Sequence, residues 1–373
     1  SRFTSKSIFQ THPNAMLRCL FFFYLLISLQ SSITGQSTLY DEAYIALESM
    51  LEGKTESSFS EAVFITENVY LNGELSKLEY DQIIKSLVSL TNGIQKNSTL
   101  EYPHKDKKKV EKYSALFTLM TDTQTVIVER DTFYHFPYTY NFDDVFGDRL
   151  WQNMFVSKLI DTGKGNCHSL PYLYKILADE IGVGAHLALA PNHVYIKHRC
   201  EKAGWYNTEL TSASFPIDAW LMASGYIHLD AIRNGIYMKA LSEKESIAMC
   251  VIDLAMGYER KYPEQDGSFV LQCCDLALKH FPNYINALLL QAETKQGQVK
   301  QLMKQYQVDQ PEALFRLLPD AEVIWKEMES IYFSIHQLGY RQMPKQMYVD
   351  WLVSLKEERE KYENRKVTSF QSK

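Results

Sequence analysis

The chain has 373 residues and a net charge of −6, with 46% hydrophobic and 23% charged residues. That length leaves room for two or three domains and a sizeable core. The mild acidity excludes a nucleic-acid partner as the main expectation, and the one basic run, "HKDKKKVEK" (104–112), reads as a solvated helix start or loop.

From Met16 the chain reads "MLRCLFFFYLLISLQSSITGQ", one arginine followed by an apolar run and then small and polar residues. This is the layout of a signal peptide, with a cut expected near Gly35–Gln36. Residues 1–15 precede that methionine and read as lying upstream of the true start. The expectation is an exported protein, periplasmic or secreted, that touches a membrane only if the signal segment stays uncleaved. The apolar run is short for a membrane-spanning helix.

Residues 36–132 read as a helical region. "LYDEAYIALESMLEG" and "EYDQIIKSLVSLTNGI" carry apolar residues at helical spacing and end near glycine. In residues 133–247 the texture changes: aromatics rise in "FYHFPYTYNF" and short alternating runs replace the helical period. Residues 248–373 turn helical again. There "GSFVLQCCDLALKHFPNYINALLLQAETKQGQ" reads as helix, Pro-Asn turn and helix, and a second pair is expected around Met343–Pro344, each like a degenerate tetratricopeptide unit. The fold class expected is α+β: a small antiparallel sheet and a cysteine-bearing helix, flanked by N-terminal helices and a C-terminal array of helical hairpins. That array is expected to bind a protein or present substrate, and to add no side chain to the chemistry.

Beyond the signal segment lie Cys167, Cys200, Cys250, Cys273 and Cys274, an odd set without disulfide or CxxC spacing. Burial accounts for Cys250, Cys273 and Cys274, which fall in apolar helical patterns. Cys167 is different. In "GKGNCHSLPYLYKILADEIG" it follows a glycine-rich turn, and Leu170, Leu173, Tyr174, Leu177, Ala178 and Ile181 then form one helix face. Pro171 suits a first turn and Gly182 a stop. A thiol at a helix start is tuned toward thiolate, the nucleophilic form.

Such a nucleophile requires a base and an orienting acceptor. "GAHLALAPNHVYIKH" reads as two strands broken at Pro191–Asn192, with His193 opening the second, and "WYNTEL" as a third. A hairpin centred near Glu201 sets His193 opposite Glu209, so that Glu209 accepts the Nδ1–H of the ring. His168, His186 and His198 compete as bases and Asp218 as the acid. The Cys167 backbone N–H, with Asn153 or Asn166, is a candidate oxyanion donor. No metal site, nucleotide motif or calcium loop is evident, and no cofactor is expected.

"GNCHSLPYLYKILADEIG", "APNHVYIKH" and "GWYNTELTS" resemble the core blocks of the transglutaminase-like superfamily, over about 151–220. The resemblance implies a papain-like core, with Cys167 as nucleophile, His193 as base and Glu209 where the family usually carries Asp. It also implies acyl transfer through a thioester on a protein or peptide substrate, with hydrolysis expected ahead of cross-linking. The alternative is an inactive core that serves, with its helices, as a protein-binding module. The whole chain further resembles exported bacterial proteins in which such a core precedes tetratricopeptide-like helices.

Overall fold

A computed structural model describes residues 38–128, 130–355 and 357. The segment read as a signal peptide lies outside the described residues, apart from which the chain is α+β as expected.

Helix α1 (38–51) is followed by α2 (Phe59–Tyr70), α3 (Lys77–Asn97) and α4 (Lys107–Thr121). Local chemistry sets their starts: the Ser58 and Ser76 side chains accept the amides of Glu61 and Glu79, capping α2 and α3. A two-stranded hairpin, β1 (Gln124–Val128) and β2 (Asp131–His135), spans the boundary expected at 132/133. Next come β3 (Thr139–Tyr140), a 3-10 turn (Trp151–Met154), α5 (Val156–Thr162), β4 (Lys164–Gly165) and α6 (Ser169–Glu180). Strands β5 (His186–Ala190), β6 (His193–Cys200) and β7 (Gly204–Thr208) form one antiparallel sheet in that order. The helices α7 (Asp218–Met222), α8 (Leu229–Arg233), α9 (Glu243–Lys261), α10 (Ser268–His280), α11 (Ile285–Gln305), α12 (Pro311–Leu317) and α13 (Pro319–Gln337) follow. A last described helix, α14, covers 345–355.

Helix α6 is the centre of the molecule. The sequence marks one apolar stripe, but every residue from Ser169 to Ala178 is buried. A helix covered on all sides belongs to the interior, and α3, α4, α5, β5 and β6 all pack on it. The charge this buries is compensated: Lys175, 4% exposed, reaches Asp179 at 2.9 Å and Glu243 at 2.7 Å. Fully burying a leucine such as Leu173 or Leu177 contributes about 1.5–3 kcal/mol, and both are at 0% exposure.

A single apolar core runs from Tyr40 in α1 through α6 and the sheet to Ile335 in α13. The helical regions and the sheet therefore share their burial. The helix–Pro-Asn–helix reading holds for α10 and α11, and α11 also packs on α13. Cys250, Cys273 and Cys274 lie at 0% exposure in that core, as expected. A separate small cluster joins Val145, Cys167, Met343, Tyr348 and Leu352. It fastens α14 onto the segment that carries Cys167.

Candidate active site

The turn before α6 is built by its own side chains. Gly163 ends α5 in the left-handed region, at φ 67°, and β4 then pairs in parallel with β3. Asn166 Oδ1 accepts the amides of His168 at 2.9 Å and Ser169 at 3.1 Å, while Ser169 Oγ accepts the Asn166 amide at 3.1 Å. Amides left over at the helix start are satisfied this way, and Cys167 is held inside the turn. Its Sγ lies 3.7 Å from the Asn192 carbonyl oxygen.

His193 arrives on a tight turn. Ala190 pairs with His193, so Pro191 and Asn192 alone connect β5 to β6. Proline followed by a residue at positive φ is the chemistry of a type II turn, and Asn192 has φ 57°. The Asn192 Nδ2 donates to the Met343 carbonyl at 3.0 Å.

His193 Nε2 is 2.5 Å from Glu209 Oε2, and Nδ1 is 2.9 Å from the Tyr348 hydroxyl. The other Glu209 oxygen accepts the Thr211 amide at 2.8 Å, and the Glu209 backbone bridges to Ser214. The sequence-level pairing is corrected in two respects. The β6–β7 register pairs Ile196 with Thr208 and Cys200 with Gly204, a slip of two residues from the expected opposition of His193 and Glu209. Because side chains alternate with period two, such a slip keeps Glu209 on the His193 face, as a diagonal neighbour. The ring nitrogen toward the carboxylate is Nε2, which leaves the Nδ1 edge for the Tyr348 hydroxyl.

Burial alone pushes the Cys167 thiol up. The hydrogen bond and charge of His193, with the Tyr348 hydroxyl, outweigh it and hold the thiol below its ordinary range. Burial pulls His193 down, but the Glu209 charge and the contact with Cys167 raise it above its ordinary value. Burial raises Glu209, and the His193 charge and hydrogen bond bring it below the usual carboxylate range. All three directions favour the charged forms of the thiol, the imidazole and the carboxyl.

The rivals lie elsewhere. Asp218 accepts from Asn207 at 2.8 Å and sits 3.5 Å from Lys197. His186 Nδ1 pairs with the Leu241 carbonyl, and His198 with Thr208. His168 turns to Asp253. The two candidate oxyanion donors have partners of their own. The Asn153 amide nitrogen donates to Asp144 and its oxygen accepts from Lys158. Asn166 directs its Nδ2 at the Val145 carbonyl and the Met154 sulfur, and spends its oxygen on the helix start.

The C-terminal helices reach the site. Tyr348 of α14, at 0% exposure, reaches both His193 and Cys167. Trp351 meets the His193 ring edge-on at 5.2 Å. The hydroxyl of Tyr140, from β3, is buried against Cys167 and Tyr348. Sequence reasoning missed these residues. Tyr140 had a signal in the aromatic run "FYHFPYTYNF", whereas Tyr348 lies 155 positions from His193 with no local cue.

Cys167 and His193 line a cleft of about 350 Å³. Its far wall is one face of α9, where Met249, Asp253, Met256 and Arg260 recur at helical spacing, together with part of α11. The helical array therefore forms part of the cleft wall. No protein-family model, curated protein or solved structure matches the chain.

Proposed function

We propose that the protein is an exported cysteine-dependent acyl-transfer enzyme with a papain/transglutaminase-like core, acting on a peptide or amide substrate that lies in the cleft along α9. One observation carries this reading: His193, buried between Cys167 and Glu209, has its Nε2 committed to the carboxylate at 2.5 Å while the thiol beside it is held toward thiolate. Export rests on the layout of residues 16–36.

In this mechanism the Cys167 sulfur attacks the substrate carbonyl carbon and an S–C bond forms. The proton held on His193 passes to the leaving nitrogen as the C–N bond breaks. Water, deprotonated by the then neutral imidazole, attacks the thioester and releases the acid; an amine in place of water gives a new amide. Glu209 holds the ring and balances the imidazolium. The Cys167 amide, at the start of α6, and the Tyr140 hydroxyl are the donors nearest in role to an oxyanion hole.

A second reading is an inactive core that binds protein. It is favoured by α14, which leaves Cys167 only 7% exposed. Iodoacetamide labelling at neutral pH, followed by mass spectrometry, separates the two. The enzyme reading expects labelling at Cys167 faster than that of a free cysteine and lost in His193→Ala. Labelling no faster than free cysteine in the full chain and also in a chain ending at residue 340 would leave only the binding module.

A further inference from the structure

His168 follows the nucleophile directly and is absent from the acyl-transfer steps above. Both of its ring nitrogens are engaged. Nδ1 lies 2.9 Å from the Met154 carbonyl oxygen, and Nε2 lies 3.1 Å from each Asp253 carboxylate oxygen. A backbone carbonyl only accepts, so Nδ1 carries a hydrogen. Asp253 Oδ2 also accepts the Tyr172 hydroxyl at 2.9 Å, and both of its oxygens face Nε2, where a carboxylate acts as an acceptor. Nε2 then carries a hydrogen too, and an imidazole with two N–H groups is a cation. The Tyr172 ring packs against it, tilted by 37°, with centroids 3.9 Å apart.

The surroundings fit a fixed charge. Asp253 is on α9, and Glu67 on α2 caps α5 through the amides of Val156 and Ser157. Burial pushes Glu67 up to about 7. The Tyr40 and Tyr70 side chains line the same small cavity. Toward the cleft, His168 and Asp253 stand with Cys167 and Arg260. Burial pulls His168 down, and the Asp253 charge and hydrogen bonds bring it above its ordinary value.

We propose that His168 is a positioning residue: a standing imidazolium, clamped by Asp253 and the Met154 carbonyl, that supplies a second positive charge beside the Cys167 thiolate. It deepens the acyl-transfer reading and rests on it. His193 shuttles the proton, whereas His168 keeps its own. Both charges act on the thiol: that of His193 lowers Cys167 most, and that of His168 adds to it. A cation close by lowers a thiol, as does the helix start on which Cys167 sits.

Two measurements on the full-length protein test it. In ¹⁵N spectra both ring nitrogens of His168 are expected to be protonated at pH 8; one bare nitrogen there overturns the proposal. The Cys167 titration, followed by its ¹³Cβ shift, is expected to move up by about one unit in His168→Gln, with alkylation below the midpoint slowed about tenfold. Asp253→Asn, which keeps a partner for Tyr172, is expected to move it the same way, and His168→Arg to restore it. An unmoved midpoint in folded His168→Gln or Asp253→Asn overturns the charge role, because a merely structural residue would alter stability and leave the midpoint in place. The nitrogen signals and the midpoint shifts are readable even where Cys167 proves inert toward substrate. Inertness would therefore count against the acyl-transfer reading alone.

Discussion

His193 Nε2 stands 2.5 Å from Glu209 Oε2, with the histidine 3% and the glutamate 1% exposed. Neither group has water to fall back on, so each depends on the other for its charge. Glu209→Gln keeps the shape but replaces an acceptor with an amide that can donate to Nε2, which favours the wrong tautomer. The expected result is a loss of acylation rate on the order of 10³–10⁴-fold, by analogy with the acid of serine triads, with the far-UV spectrum retained. Asp218→Asn, altering a side chain that pairs with Asn207 and Lys197 instead, is expected to change the rate less than about threefold. The reverse order of effects would remove Glu209 from the role.

The same pair sets a pH dependence of stability. His193 is raised on folding, so its contribution is complete below its unfolded value of about 6.5 and is lost as pH rises through the folded one. Glu209 is lowered on folding, so its contribution is present above about 4.3 and is lost as pH falls through its folded value. Urea midpoints measured from pH 3 to 10 should therefore decline at both ends, and the His193→Ala, Glu209→Ala double variant should flatten both limbs. The thiol adds a kinetic counterpart. Cys167 alkylation should set in below the free-thiol value of about 8.5, and in His193→Ala its onset should move up, since His193 supplies the largest effects that oppose burial at the thiol.

Much of the site could be read from the chain because its parts are close in sequence and carried on strongly patterned elements. Cys167, Pro171 and Gly182 mark a helix start and stop, and the Pro191–Asn192 turn fixes where β6 begins. The strand period then keeps Glu209 on the His193 face even with the register two residues away from expectation. The local role of Asn166 is less legible: it serves the helix start that it precedes, and a sequence does not say to which use an amide is put. Tyr348 and Asp253 were beyond reach because they come from helices far along the chain. Their apolar spacing shows a buried face without saying against what.

Gly165 tests how tightly the nucleophile turn is packed. A methyl group built there would lie 2.5 Å from Ser169 Oγ and 2.8 Å from Leu159 Cδ1. Ser169 Oγ accepts the Asn166 amide, so relief of the clash must come from the turn that holds Cys167. Gly165→Ala is expected to cost about 1–3 kcal/mol of stability, as overpacking does. It should also slow Cys167 alkylation about tenfold at a temperature where the variant remains folded. Thermal unfolding together with alkylation rates checks both, and an unchanged rate would show that the turn yields elsewhere.

Removal of α14 separates shielding from assistance at the thiol. Met343, Tyr348 and Leu352 form with Cys167 and Val145 a cluster apart from the main core, which extends to Ile335 without them. A chain ending at residue 340 keeps that core and loses Tyr348, Trp351 and the Met343 carbonyl that accepts from Asn192. Exposing the few side chains of the small cluster costs about 1.5–3 kcal/mol for each large one, so the melting temperature should fall while cooperative unfolding survives. The thiol loses its cover and the Tyr348 hydroxyl, yet His193 and Glu209 remain. Cys167 alkylation by iodoacetamide is therefore expected to accelerate at least about tenfold, the gain from access exceeding the loss of one hydrogen bond worth about 1 kcal/mol. Tyr348→Phe in the full chain keeps the cover and removes only the hydroxyl, so its rate should fall by about fivefold. If the truncated protein stays folded but reacts more slowly than the full chain, α14 is part of the working site and not a cover over it.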